Sequence, residues 1–195
     1  MKRVVLTGGP CAGKSTVLAA IATYLPHLVE IVPEAASHAF AGGYPLPEPD
    51  WSDQDWYALQ MIITYQQLRF EAEAEARAKE SGKEIIVCDR APYDNLAYRM
   101  GREAVAELVG PELTAGMRRY DLVIHLRSLA VIDPPRYQQT SNAGRYESLS
   151  AATFQEAATI AAWSPHPNRV TIAETDINEL VTRSIALICR RRLTR

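Results

Sequence analysis

"LTGGPCAGKST", residues 6–16, is the stretch that decides how the chain is read. It fits G-x-x-x-x-G-K-[ST], with Gly8, Gly13, Lys14 and Ser15 in the fixed positions. Each residue type answers a physical demand. Main-chain N–H groups can close around phosphate oxygens only where no Cβ obstructs them. A helix that starts at the loop adds further N–H groups and the positive end of its dipole. The Lys14 ammonium can reach the β and γ phosphates, while the Ser15 hydroxyl can hold Mg²⁺. The context is the required one. "RVVL" before the loop reads as a short buried strand, and beyond it Val17, Leu18, Ile21, Tyr24 and Leu25 recur at helical spacing until Pro26. The whole loop, Gly8, Gly9, Pro10, Cys11, Ala12, Gly13, Lys14, Ser15 and Thr16, is therefore expected to bind the phosphates of a nucleoside triphosphate with Mg²⁺.

Working outward, "HLVEIVPE" predicts a second strand ending beside Glu34, because alternation and β-branching coincide and Pro33 cannot continue a helix. "GGYPLPEPD", residues 42–50, reads as a loop. A long helix is predicted from about Ser52 to Ser81, with Ser52 as its N-cap and Trp56, Leu59, Ile63 and Phe70 on its apolar face. "KEIIVCDR" is a third strand, apolar nearly throughout and so covered on both faces, and it closes on Asp89. "YDLVIHL" and "RVTIAET" give two more strands. The segment between them, "RSLAVIDPPRYQQTSNAGRYES", is too polar and Pro-punctuated for core, and an Ala-rich helix follows from about Leu149 to Trp163. A last helix runs from Ile177 to about Arg192. Strands alternating with helices describe an α/β fold with a mainly parallel sheet and helices on both faces.

At 195 residues the chain suits one full-sized domain, 1–195, and shows no linker that would divide it. A net charge of -2 offers no excess of positive charge to displace counterions, so no nucleic-acid partner is expected. Three cysteines far apart, Cys11, Cys88 and Cys189, suggest neither a disulfide framework nor a zinc site. No apolar run is long enough to span a membrane and the N-terminus has no signal-peptide core, so a cytoplasmic protein is expected. The four histidines have no metal-ligand spacing. Neither an N-K-x-D guanine reader nor a D-x-x-G switch is present, which argues against a GTPase. Asp89 is followed by Arg90 rather than by a second acid, which argues against a ring-forming ATPase.

"GGPCAGKST", "PEAA", "DRAPYDNLAY", "YDLVIHL" and "NAGRYES" together resemble the small kinase-like ATPase family typified by the ribosylnicotinamide kinase domain of a bacterial NAD regulator. More distantly they resemble thymidylate and deoxynucleoside kinases. The resemblance runs from Val4 to about Glu174. It implies a three-layer P-loop NTPase fold whose five-stranded parallel sheet has the order 2-3-1-4-5, with a small-molecule acceptor held over the C-terminal strand edges.

The remaining polar residues take their expected roles from strand position and from this resemblance. Glu34 and Asp89 end their strands on the same edge as the phosphate loop. In the similar deoxynucleoside kinases the acid matching Glu34 contacts the acceptor hydroxyl. Asp89 occupies the position that holds Mg²⁺ or its waters, with a structural Asp89–Arg90 pair as the alternative. Either acid could take the acceptor proton. Arg90 would neutralise acceptor or phosphate charge, and Asp94 would position the acceptor. Of Arg127, Arg136 and Arg145, the last is the choice for the cation that stabilises the transferring phosphoryl group. "NAGRYES" resembles the family's lid arginine segment, and the lid spans about 128–147. Trp56, Tyr57 and Gln60 lie where related kinases hold the acceptor's base.

These readings lead to ATP-dependent phosphoryl transfer onto a hydroxyl of a nucleoside or nucleoside-like metabolite. A nucleotide-controlled protein that binds a lipid or protein partner on the same fold, and a simple NTPase, remain open alternatives. Composition does not separate them.

Overall fold

The computed structural model describes residues 1–137 and 148–193. In chain order it contains β1 (Lys2–Thr7), α1 (Lys14–Tyr24), β2 (Val29–Val32), α2 (Ala35–Ala41), α3 (Asp53–Ser81) and β3 (Ile85–Asp89). A 3-10 segment (Pro92–Ala97) then leads to α4 (Gly101–Val109), α5 (Leu113–Met117) and β4 (Leu122–Leu126). After these come α6 (Leu129–Ile132), a 3-10 turn (Pro134–Arg136), α7 (Leu149–Ala162), β5 (Arg169–Ile172) and α8 (Ile177–Leu193). The five strands form one sheet in the order β2-β3-β1-β4-β5, with every pairing parallel. This is the topology the resemblance implied.

Period-two alternation along the strands sorts the core into two layers. Val4 and Leu6 of β1, Ile85 and Val87 of β3, and Leu122, Ile124 and Leu126 of β4 face α1 and α8, where they meet Val17, Ile21, Leu180 and Ile188. Val5, Ile86, Cys88 and Val123 face the other way, onto Ala74, Ala78, Val105, Met117 and Trp163. Parallel pairing aligns all the C-terminal strand ends on one edge. Leu6 stands opposite Asp89, and Thr7 opposite His125.

Two expectations need correction. The long helix carries its deepest stripe not on Trp56, Ile63 and Phe70 but on Gln60, Thr64, Gln67 and Glu71, all buried, continued by Ala74 and Ala78. These polar residues face inward because each of three finds a buried partner: Thr64 accepts from Asn95, Gln67 bridges two main-chain groups, and Glu71 accepts from Tyr120. The stretch after β4, too polar by composition for core, nonetheless begins with buried residues: Ser128 and Ala130 are both buried, and Ser128 Oγ caps α6 and donates to the Pro10 carbonyl of the phosphate loop. The sequence pattern predicts no element at α2, α4, α5 or α6.

The start of α3 is fixed by a reciprocal cap. Asp55 N–H donates to Ser52 Oγ at 3.2 Å, and Ser52 N–H donates to Asp55 Oδ2 at 2.9 Å. Among the described residues no helix is long and apolar enough to cross a membrane. Replacing Ser52 by Ala is expected to cost about 1 kcal/mol and lower the thermal midpoint by about 2–4 °C. Calorimetry checks this, and nucleotide affinity should be unchanged.

Candidate active site

The loop between β1 and α1 takes its shape from left-handed torsions at Gly13 (φ 83) and Cys11 (φ 55). Gly8 is demanded by packing as well: a Cβ there would lie 2.1 Å from the carbonyl oxygen of Leu126. Gly13 forms the N-cap of α1, with no side-chain hydrogen bond to the cap and no acid in the first turn. The first-turn N–H groups are thus left for an anion, with Ser15 and Thr16 exposed beside them. Lys14 Nζ folds back and donates to the carbonyl oxygens of Gly8 and Gly9, at 3.1 and 3.2 Å. Burial pushes its ammonium down to about 8, and the Arg90 charge works the same way, while Asp89, Glu34 and Asp94 oppose them.

Asp89 lies one strand away. Its Oδ1 is buried without a hydrogen-bond partner among the described residues. Burial pushes this carboxyl up to about 6; Lys14 pulls it down and Glu34 adds to the rise. The donor set fits Mg²⁺ in the manner of phosphate-loop proteins. An unpartnered carboxylate oxygen and the exposed Ser15 hydroxyl are hard oxygen ligands, and phosphates would complete the shell. Among the described residues no group of three or more His, Cys, Asp and Glu forms a metal site alone, so a cation here would be shared with the nucleotide.

Arg90 is the corner at which the chain leaves the sheet, with φ 64 and its N–H donating to Leu6 O at 3.0 Å. Its guanidinium does not pair with Asp89. Nε donates to Glu34 Oε1 at 2.6 Å, and Nη1 to Asp94 Oδ1 at 3.3 Å. Glu34 is the N-cap of α2 and also accepts from Ser37 Oγ. Burial alone pushes its carboxyl up. The charges of Arg90 and Lys14, with hydrogen bonds from Ser37 and Arg90, outweigh that and bring it down to about 2. Asp94, expected to position an acceptor, is 1% exposed and occupied by protein donors: Thr7 Oγ1, Ala91 N–H, Arg90 and Trp163 Nε1. Its carboxylate holds Arg90, and both of its oxygens accept from protein donors.

Of the three aromatic and amide candidates on α3, only Gln60 belongs to the buried stripe, and its Oε1 has no partner among the described residues. The Trp56 ring stands edge-on to Trp51 at 5.7 Å, and Trp51 edge-on to Tyr44 at 6.4 Å, which ties the 42–50 loop to the start of α3. Tyr57 donates to Glu107 of α4 instead. Arg145 lies outside the described residues, as does 138–147 of the expected lid. Arg136 reaches the Thr175 carbonyl at 3.2 Å, and Arg127 pairs with Glu156 at 2.8 Å.

Sequence reasoning missed two residues that organise this edge. Gln67 accepts from Ala35 N–H at 3.1 Å and donates to Arg90 O at 3.2 Å, joining the Glu34 and Arg90 backbones. Glu156 of α7, 1% exposed, accepts from Gly9 N–H at 2.9 Å. Neither carried a signal, since a lone Gln in a polar helix and a lone Glu in an Ala-rich one both read as solvated.

A family model described as an AAA domain matches residues 3–179. The chain belongs to that family. It is thus a phosphate-loop nucleotide-binding domain of a kind that typically works with Mg²⁺. No curated protein matches it. Among solved structures, thymidylate kinase from Candida albicans superposes with a TM-score of 0.62 at 15% identity, covering 98% of this chain and 92% of that one. At that identity the likeness is one of fold.

Asp89 makes a signed prediction. Its carboxyl titrates near 6 in the folded chain, above the 3.8 of an unperturbed Asp, so its contribution to folding is full below about 4 and lost as pH rises through 6. At pH 7.5 the ionised side chain should cost on the order of 3 kcal/mol, reduced by its partial exposure. Asp89→Asn should raise the thermal midpoint by several degrees at pH 7.5 and leave it unchanged at pH 4. Denaturation scans at the two pH values measure the difference.

Proposed function

We propose that the protein is an ATP- and Mg²⁺-dependent kinase that moves the γ-phosphoryl group onto a hydroxyl of a small molecule, a nucleoside or nucleoside-like metabolite. On this reading the chain is one catalytic domain. The observation that carries the proposal is the set of charges along a single strand edge. The Lys14 ammonium lies in the electrostatic field of Asp89, Glu34, Arg90 and Asp94, and Asp89 Oδ1 has no partner among the described residues. A nucleotide-binding switch would account for the phosphate loop, and the Glu34–Arg90–Asp94 charges beside it favour an acceptor site.

The roles follow from the chemistry. Phosphoryl transfer passes through a loose transition state, so the protein's work is positioning and charge stabilisation rather than strong base catalysis. Glu34, ionised at neutral pH and held by Arg90, is suited to accept a hydrogen bond from the acceptor hydroxyl and aim it along the line of attack. Asp89, with the higher pKa, is suited to hold Mg²⁺ through its free oxygen; bound Mg²⁺ would neutralise phosphate charge. Arg90, fixed between Glu34 and Asp94, would offer its remaining N–H groups to acceptor or phosphate oxygens. Gln60, whose buried amide oxygen has no partner among the described residues, is the α3 side chain with an acceptor atom left for a ligand. Thymidylate kinase supplies a fold-level precedent for a nucleotide acceptor, and its substrate is not carried over.

Incubation with Mg²⁺-ATP and a panel of nucleosides and related metabolites should give acceptor-dependent ADP release. Glu34→Gln should lower kcat by about 10²-fold or more while ATP affinity is retained. Nucleotide binding without any acceptor turnover would sink the kinase reading. ATP hydrolysis that no acceptor accelerates would point to a simple NTPase. The pH profile of kcat/KM for ATP should be bell-shaped, rising through about 6 as Asp89 ionises and falling above about 8 as Lys14 loses its proton.

A further inference from the structure

Two halves of the phosphate loop are treated differently by the surrounding fold. Residues 9–11 are pinned from one side: Gly9 N–H by Glu156, the Pro10 carbonyl by Ser128 Oγ, and the Cys11 carbonyl by Leu129 N–H at 3.4 Å. Residues 13–16 open onto the uncapped start of α1. The pinning carboxylate is itself enclosed. Glu156 Oε1 meets His125 Nε2 at 3.1 Å and Arg127 Nε at 2.8 Å, and Oε2 takes the Gly9 N–H. The residue at position 9 must lack a side chain for this to occur, because a Cβ would lie 2.7 Å from Oε2.

A buried carboxylate beside a site for phosphates is electrostatically unfavourable unless it is neutralised and serves the geometry. The Arg127 guanidinium provides the first condition, and His125 Nε2 adds a hydrogen-bond contact. The second is met by position, since Glu156 engages the amide of Gly9 and leaves those at the helix start free. Burial pushes the Glu156 carboxyl up, but the His125 contact and the main-chain donors Gly9 and Ser128 outweigh it, so the group is held ionised and accepts charge-assisted bonds.

We propose that Glu156 is a positioning residue of the nucleotide site, fixing the first half of the phosphate loop against β4 and α7 so that the second half presents its N–H groups in binding geometry. The inference rests on the nucleotide-binding part of the function above and not on phosphoryl transfer. Its readout is therefore affinity for Mg²⁺-ATP, measured by titration calorimetry.

Glu156→Gln keeps the shape but loses the charge and one acceptor oxygen, and should weaken Mg²⁺-ATP binding tenfold or more. Glu71→Gln is the control for general loss of packing. Glu71 is equally buried and bonded to Tyr120 and Arg119, and it lies at the opposite end of β1, beside Arg3. It should lower the thermal midpoint while ATP affinity stays within twofold of wild type. Wild-type affinity in Glu156→Gln, or an equal loss in both variants, would overturn the proposal. If Glu156→Gln fails to fold, hydrogen exchange in the wild-type chain decides. The Gly9 amide should be protected as strongly as the amides of β1, and exchange at the rate of an exposed loop would overturn the anchoring. A wild-type chain that binds no nucleotide would overturn both readings. Binding without transfer would remove only the kinase.

Discussion

A lysine ammonium taken out of water must find negative charge or give up its proton, and the strand edge is organised around that requirement. Among the described residues the direct partners of Lys14 are two loop carbonyls. The carboxylates of Asp89, Glu34 and Asp94 act on it through space, and Arg90 acts against them. The balance leaves a cation with unsatisfied donors at the mouth of a loop whose helix start is uncapped. Polyphosphate is the ligand class that answers both at once: it supplies acceptors for the ammonium and for the first-turn N–H groups, and it brings the divalent cation that the free Asp89 oxygen can meet.

The sheet conveys this arrangement to the rest of the molecule. Asp94 touches Thr7 at the end of β1, Arg90 beyond β3 and Trp163 after α7, so a single carboxylate joins three segments from different parts of the chain. Trp163 in turn lies among Tyr93, Tyr120 and His166 with ring centroids 5.7–5.9 Å apart in edge-to-face contacts. The aromatic core beneath one face of the sheet is thereby tied to the side chains at its edge. A perturbation of that core has a short route to the guanidinium of Arg90.

The fold was legible because its signals are local: the β-branched runs, the loop glycines, and Ser52 and Gly82 at the ends of α3. The phosphate loop and the strand-end acids were legible for the same reason, each being marked by its place relative to a strand. What remained hidden depends on tertiary pairing. Thr64, Gln67 and Glu71 look like a solvated face until their partners are known, and those partners come from residues 23–49 positions away, as with Gln67 and Arg90 or Glu71 and Tyr120. Asp94 takes its expected role from the "DRAPYDNLAY" resemblance, whereas its burial among Thr7, Arg90, Ala91 and Trp163 is something no short window records. Glu156 is 147 residues from Gly9, and no spacing rule connects them.

The left-handed corner at Arg90 bears on conformational entropy. An arginine side chain ordinarily loses about 2 kcal/mol of rotamer freedom when it is fixed. Here the main chain sets the direction in which the side chain departs, and carboxylates on either side fix its far end, so that loss is incurred when the chain folds rather than when a ligand arrives. A molecule entering beside Arg90 meets a guanidinium already frozen in place, and selects by fit to a rigid fork rather than by gathering a mobile one.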